Sequence, residues 1–321
     1  MVKALVIYNC NIFLGMEVCI MDMVLLTLGE TIDKVFNGFD LAIFHFFGSM
    51  QNTFLTYVAK FFTSFGDEAF IIPVAVIAVV LMLFKKTRKY GFAIAFAIVA
   101  GTLVTNVIVK PMALRIRPYN TLQGNVDYWS WYIGAGALSE SDYSFPSGHT
   151  TGAFEIATAL ALVLRSDNKK KIAWIFPAVA LCVMGSRIYL MVHYPTDVIC
   201  GMIVGICAGV IGYFLMKLAM MLIEKVKPFT YLDKIDLGKI SFMKWSQGKA
   251  GTAVIAVAVC AVFLGSFIPA LSEGGEDAVR CAYVGEYDCY NEARVDDEKY
   301  PAIDGKEYCK IHWKQLSGVN E

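Results

Sequence analysis

The chain has 321 residues, 57% of them hydrophobic and only 17% charged, with a mean hydropathy of +0.56. Soluble globular chains carry about 45–50% apolar and about 25% charged residues, so a pair of soluble domains, a disordered chain and a collagen-like repeat are all excluded. Lys+Arg 28 against Asp+Glu 28 leaves no net charge, and without a basic excess no nucleic-acid partner is expected. What remains is an integral membrane protein. The expected fold class is all-α: a polytopic transmembrane helix bundle with a small polar C-terminal tail module.

Residues 1–66 form an N-terminal segment. Its first 28 residues lack the small-residue cleavage site of a signal peptide. Phe39–Phe47 and Phe54–Phe65 mix aromatic and charged positions, as amphipathic helices in the membrane interface do, and a span through Met21–Phe47 is the alternative. Beyond them, six stretches approach the ~17–25 apolar residues that cross a bilayer: Ala69–Phe84, Phe92–Val109, Thr150–Leu164, Ile172–Val192, Val198–Ile223 and Thr252–Leu271. Residues 67–225 then form the core, 226–250 a cytoplasmic linker, 251–271 an additional transmembrane helix and 272–321 an extracytoplasmic acidic tail. Lys85–Lys89, Arg165–Lys171 and the lysines of 224–249 alternate along the chain. They share one side, the cytoplasm by the positive-inside rule. Cys182, Cys200, Cys207 and Cys260 fall in these spans as small apolar packers.

The unusual polar residues of the core collect at the opposite face, in three stretches. Lys110-Pro-Met-Ala-Leu-Arg-Ile-Arg117-Pro118 leaves the second span. Phe145-Pro146-Ser147-Gly148-His149 enters the third. Ser186-Arg187, followed by His193-Tyr-Pro-Thr-Asp197, joins the fourth to the fifth. Lys110, Arg117 and Arg187 each cost a few kcal/mol at the hydrocarbon boundary unless partnered, and in sequence only Asp197 stands near as a carboxylate. Such a cluster wants an anion: Arg offers a planar fork to phosphate oxygens and Lys a point charge. Ser147-Gly148 opens a helix, so backbone N–H groups and the positive end of the dipole face the same anion. Pro195 starts the next helix, placing Asp197 in its first turn and His193 just outside. The carboxylate then holds one imidazole nitrogen and leaves the other free as a nucleophile, while His149 protonates a departing alkoxide. Glu155, inside the third span, is expected to find a hydrogen-bonded partner within the bundle.

Lys-x6-Arg-Pro, Pro-Ser-Gly-His and Ser-Arg-x5-His-x3-Asp together resemble the three-part signature of the type-2 phosphatidic acid phosphatase superfamily. All signature positions match, and the resemblance covers roughly Phe39–Ile223. It implies a metal-independent phosphatase working through a phosphohistidine on His193, with Asp197 orienting it and His149 as acid. Lys110, Arg117, Ser147, Gly148 and Arg187 would bind the phosphate. The expected function is hydrolysis of a lipid phosphate or diphosphate, undecaprenyl diphosphate or a phosphatidic-acid-like lipid, at the extracytoplasmic face of the plasma membrane, with no catalytic cofactor. The rival readings are a non-catalytic anion or lipid transporter and a scaffold. Intact His149, His193 and Asp197 and the absence of a repeat weigh against them.

The family pattern does not explain the tail. With twelve Asp/Glu against six Lys/Arg it should be solvated, and it carries Cys281-x7-Cys289-x19-Cys309-x2-His312. Three Cys and one His supply four tetrahedral ligands for a structural zinc. One disulfide with a third thiol left over is the alternative outside the cell, and a disordered tail is the third.

Overall fold

The computed structural model describes residues 5–13, 16–24, 27–227, 229–239, 279–284, 288–295 and 297–318. The additional span expected at 251–271 and the linker residues 228 and 240–250 lie outside these residues. The chain opens with an antiparallel hairpin, β1 (Leu5–Phe13) and β2 (Met16–Val24), which pairs Leu5 with Val24 and Phe13 with Met16. Both strands are rich in β-branched residues. Apart from this hairpin and isolated bridges in the tail, the regular structure is helical, as the composition predicts.

Helix α1 (Leu28–Ser49) starts at a capping box in which Thr27 and Glu30 satisfy each other's backbone N–H. Asn52 caps α2 (Thr53–Thr63) and Asp67 caps α3 (Glu68–Met82), with a bend of 42° between them. Helix α4 (Arg88–Thr102) is followed by a long loop containing α5 (Val126–Gly134), then by α6 (Gly148–Ser166), α7 (Ile175–Tyr189) and α8 (Pro195–Lys225). The tail ends in α9 (Lys310–Ser317).

Among the described residues, three helical stretches are long and apolar enough to cross a membrane, Arg88–Thr121, Lys170–Tyr189 and Pro195–Lys225, or four if the bent pair α2–α3 counts as one. Helix α6, expected as a span, is not among them. It packs centrally against α4, α7 and α8, and buries Thr150, Thr151 and Glu155 in protein. Its neighbours face the lipid in its place, so α6 is free to carry polar groups.

The close approach of α6 and α8 depends on glycine. A Cβ at Gly205 would lie 2.6 Å from the Thr151 carbonyl oxygen, and one at Gly209 2.5 Å from Thr158 Cβ. Small residues at helical spacing let two backbones meet without side chains between them. The far ends of these helices gather the basic segments. Lys89 pairs with Asp167, Arg88 donates to the Ile235 carbonyl, and Leu237 N–H donates to Leu83 O at 3.1 Å. The three motif stretches lie at the other ends of the same helices.

Gly205→Val forces α6 and α8 apart. The expected outcome is a fall in thermal midpoint in detergent, with loss of the compact band on size exclusion. Gly185→Ala in α7, where an added Cβ meets nothing within 4 Å, should leave the midpoint unchanged or raise it slightly, because Ala is better than Gly in a helix by about 1 kcal/mol.

Candidate active site

Each candidate side chain is delivered by the end of a helix. After α4 the backbone widens into a π-helix over Leu103–Val109, then closes one turn at Lys110–Ala113 and stops at Leu114 with φ 52°. Local π geometry recurs at functional sites; here it precedes Lys110. Arg117 follows in extended backbone, held there by the proline after it. Ser147 caps α6, placing Gly148 and His149 in the first turn. Arg187 stands in the last turn of α7, and Asp197 in the first turn of α8 behind Pro195. His193 sits in the tight connection between those two helices.

His193 is fully buried. Its Nε2 lies 3.0 Å from Arg117 Nη1, and its Nδ1 lies 3.5 Å from Asp197 Oδ2 and 3.4 Å from Ser144 Oγ. A guanidinium is only a donor, so Nε2 is the accepting nitrogen and the ring proton sits on Nδ1, toward Asp197. Burial, and then the cations Arg117, Arg187 and Lys110, push the His193 pKa well below the ordinary imidazole value. The ring is therefore neutral, with its lone pair aimed at the cations.

Asp197 is held from several sides. Arg115 Nη1 lies 2.5 Å from Oδ1, Ser144 Oγ donates to Oδ2 at 2.5 Å, and Tyr194 N–H donates to Oδ2 at 3.0 Å. Sequence reasoning gave Arg115 no role. It is buried, stacks 3.8 Å over the Tyr194 ring, and reaches Asp33 at 2.8 Å and Asp40 at 2.9 Å. Both aspartates come from α1, so the N-terminal helix supports the site from behind.

Lys110, Arg117 and Arg187 converge as expected, but not around an empty space. Lys110 pairs with Asp142, and Arg117 Nη2 lies 2.5 Å from both Glu140 Oε2 and Asp142 Oδ1. Arg187 pairs with Glu140 and donates to Thr63 Oγ1 at 2.7 Å, while its buried Nε has no partner among the described residues. The expectation that Asp197 is the sole nearby carboxylate is thus overturned: Glu140 and Asp142, from the loop ahead of Phe145, neutralise the cradle. Burial opposes ionisation of Asp142, but Lys110 and Arg117 prevail and hold its carboxyl well below the usual range. The same Glu140 stands 3.8 Å from His149 Nδ1, while Asp67 Oδ2 is 4.0 Å from His149 Nε2. His149 and His193 are joined through the Glu140–Arg117 pair.

The backbone part of the expected cradle is only half available. Ser147 N–H donates to the Asp197 carbonyl at 3.1 Å and Ser147 Oγ accepts from Thr150 Oγ1 at 3.1 Å, so Ser147 ties α6 to α8. Gly148 does face the cations; Lys110 Nζ is 3.9 Å from where its Cβ would be. Glu155 departs from expectation. It is buried, and its Oε2 has no hydrogen-bond partner among the described residues. A Cβ at Gly101 would lie 1.5 Å from that oxygen, so the glycine provides its space. In the tail, Cys281, Cys289, Cys309 and His312 do come together, with all ligand atoms within 4.8 Å of one another.

Glu140, Asp142 and Ser144 carried one signal in the sequence. They form an acidic, hydroxyl-bearing run immediately before the Phe-Pro-Ser-Gly-His stretch, in a loop otherwise poor in charge.

Comparison with known proteins bears on the family of the chain. Residues 89–221 match the PAP2 superfamily. An undecaprenyl-diphosphatase from Sulfolobus acidocaldarius is 32% identical over 173 residues, 52% of this chain and 74% of the relative. Phosphatidylglycerophosphatase B of Bacillus subtilis is 30% identical over 175 residues, 52% of this chain and 76% of that protein. The crystal structure of a transmembrane PAP2 type phosphatidylglycerolphosphate phosphatase from Bacillus subtilis aligns with 62% of this chain and 93% of its own at 26% identity, with a TM-score of 0.48. Carrying the complete three-part signature and 32% identical over 173 residues to a relative of which it covers 74%, the chain belongs to the PAP2 superfamily.

Proposed function

We propose that this PAP2-type lipid phosphatase hydrolyses a lipid phosphate or diphosphate, of the undecaprenyl diphosphate or phosphatidic acid kind, through a phosphohistidine on His193. The observation that carries the reading is the His193 ring itself: Nε2 unprotonated and accepting from Arg117 Nη1 at 3.0 Å, Nδ1 turned to Asp197. A neutral imidazole fixed in that tautomer among cations is a nucleophile waiting for an anionic electrophile.

The phosphate enters by displacing Glu140 and Asp142 from Lys110, Arg117 and Arg187. His193 Nε2 attacks phosphorus, an Nε2–P bond forms and the bond from phosphorus to the leaving oxygen breaks. His149, whose burial lowers its pKa to about 4 in the free enzyme, takes up a proton as the phosphate dianion binds beside it and gives that proton to the leaving oxygen. A water then attacks the phosphohistidine, His149 takes its proton, and inorganic phosphate leaves with His193 restored. Charge stabilisation and positioning supply most of the rate in such a transfer, and both come from the chain's own side chains, without a catalytic metal. The Lys/Arg distribution supports a multi-pass protein of the plasma membrane, with this site on the extracytoplasmic face.

The direct test is phosphate release from a panel of lipid phosphates and diphosphates by protein in detergent with EDTA present. Wild type should turn over at least one lipid. His193→Ala should lose activity by about 10³-fold or more. A requirement for added magnesium, or activity that survives the substitution, overturns the mechanism.

The pH profile gives a second check. The nucleophile works only unprotonated, and its free-enzyme pKa is depressed. The His193 limb of kcat/KM therefore lies below the ordinary ~6.5: activity persists as pH falls through that value and is lost only further into acid. A His193 limb at or above ~6.5 contradicts the burial argument.

Competition between carboxylate and substrate gives a third. Glu140→Gln removes one of the two anions that the phosphate displaces, and should lower KM several-fold more than it changes kcat. A higher KM would show that Glu140 assists binding and does not compete with it.

A further inference from the structure

We propose that Cys281, Cys289, Cys309 and His312 bind one structural zinc, and that this site clamps the loop carrying Glu140 and Asp142 to the phosphatase core. The four side chains are almost fully buried, at 6%, 4%, 0% and 3% exposure. A tetrahedral zinc with Zn–S about 2.3 Å and Zn–N about 2.1 Å needs S···S edges of about 3.8 Å and S···N edges of about 3.6 Å. Cys289 Sγ and Cys309 Sγ are 4.0 Å apart, and His312 Nδ1 lies 3.4 Å from Cys281 Sγ and 3.3 Å from Cys309 Sγ. A disulfide needs about 2.05 Å; the three thiols are free, and three cannot all pair among themselves. Binding displaces the three thiol protons and fills all four positions, so the ion is structural and not a catalyst.

The backbone builds the site from separate pieces. Cys281 lies opposite Asn291 and Cys289 opposite Tyr283 on two antiparallel segments bridged at Arg280–Glu292 and Val284–Asp288. Cys309 is the N-cap of α9 and His312 falls in its first turn, so the Cys-x-x-His pair shares one turn. Tyr283 stacks on the His312 ring, with centroids 3.8 Å apart and planes 5° from parallel, which fixes the imidazole with Nδ1 inward. The rest of this cluster is small: Ile311 with the partly buried Tyr143, Tyr283 and Tyr308. So little apolar area does not hold a module of this size together, and small domains of this kind rely on a metal or cross-links.

Tyr143 directly follows Asp142, so the cluster touches the cradle loop itself. Asn291 makes the main connection. Its Nδ2 donates to Cys309 Sγ at 3.5 Å, and its Oδ1 accepts from Asn120 Nδ2 at 2.9 Å and lies 3.1 Å from Tyr119 Oη. Tyr119 Oη in turn accepts the Glu140 N–H at 3.0 Å. Arg280 adds hydrogen bonds to Ser139 Oγ and, at 3.0 Å, to Ala137 O. A thiolate ligand is thus linked through one amide to the turn after Arg117 and to the backbone of Glu140.

The test uses the whole chain, purified in detergent without chelator. Elemental analysis should give about one zinc per chain. Exchange for cobalt should give the thiolate-to-cobalt charge-transfer band and the strong visible bands of a tetrahedral site. Cys309→Ser should reduce the metal content about tenfold or more. Asn291→Ala keeps all four ligands; it should weaken zinc binding about tenfold to a hundredfold and speed proteolytic cleavage within residues 119–143. Zinc-free wild-type protein with Cys281, Cys289 and Cys309 all alkylated as free thiols, or a disulfide between any two of them by non-reducing mass spectrometry, overturns the site. Unchanged cleavage in Asn291→Ala overturns the clamp. Metal content is read without substrate, so the zinc site can fail while the phosphatase mechanism stands, and the converse.

Discussion

Everything at the site follows from crowding Lys110, Arg117 and Arg187 around a buried, neutral imidazole. Three positive charges in a low-dielectric pocket repel one another and must be answered. Glu140 bridges Arg117 to Arg187, and Asp142 bridges Lys110 to Arg117. Three cations less two carboxylates leave one net positive charge. A phosphate dianion in place of the two carboxylates leaves the same. Exchange of internal for external anion is then neutral in charge, and binding strength depends on the difference between two similar sets of charge-assisted hydrogen bonds. Phosphate has the better geometry for an arginine fork, and the carboxylates have the advantage of being tethered.

The back of the site reverses this sign. Arg115 is a single cation facing Asp33, Asp40 and Asp197. That arrangement fixes the Asp197 carboxylate by one oxygen and leaves the other for Ser144, Tyr194 N–H and the His193 ring. An aspartate so heavily engaged is held in one orientation, which keeps the His193 ring proton on Nδ1. It also explains why α1 is amphipathic. Its buried face carries Asp40 and Phe44 toward the bundle, while Val35, Phe36, Phe39 and Phe46 stay exposed for lipid.

The sequence made His193, Asp197, His149 and the three cations legible as members of one cluster, because helix starts and ends fix their spacing. It did not reveal the carboxylates of the loop. Glu140 and Asp142 are ordinary surface residues by composition, and only the fold turns their loop inward. Arg115 was obscured by its neighbours: between Lys110 and Arg117 it reads as one more basic residue, and its partners lie 75 to 82 positions away. The low hydropathy of α6 has a related reason. A segment shielded by α4, α7 and α8 does not need the apolarity of a lipid-facing span, so Thr150, Thr151 and Glu155 lower its hydropathy without ending the helix.

The tail and the cradle place opposite demands on one loop. Its root at Tyr119 and Asn120 is tied to Asn291, and its far end returns through Ser144 N–H to Arg115 O at 2.8 Å. Between them Glu140 is held by its backbone to Tyr119 while its side chain engages Arg117 and Arg187. Release of the cations therefore needs rotation of two side chains and no movement of the backbone. Rotamer changes are far faster than loop opening, so a loop pinned at both ends lowers the reorganisation cost of each exchange. Rigidity of the backbone and mobility of the carboxylates are compatible because they reside in different bonds.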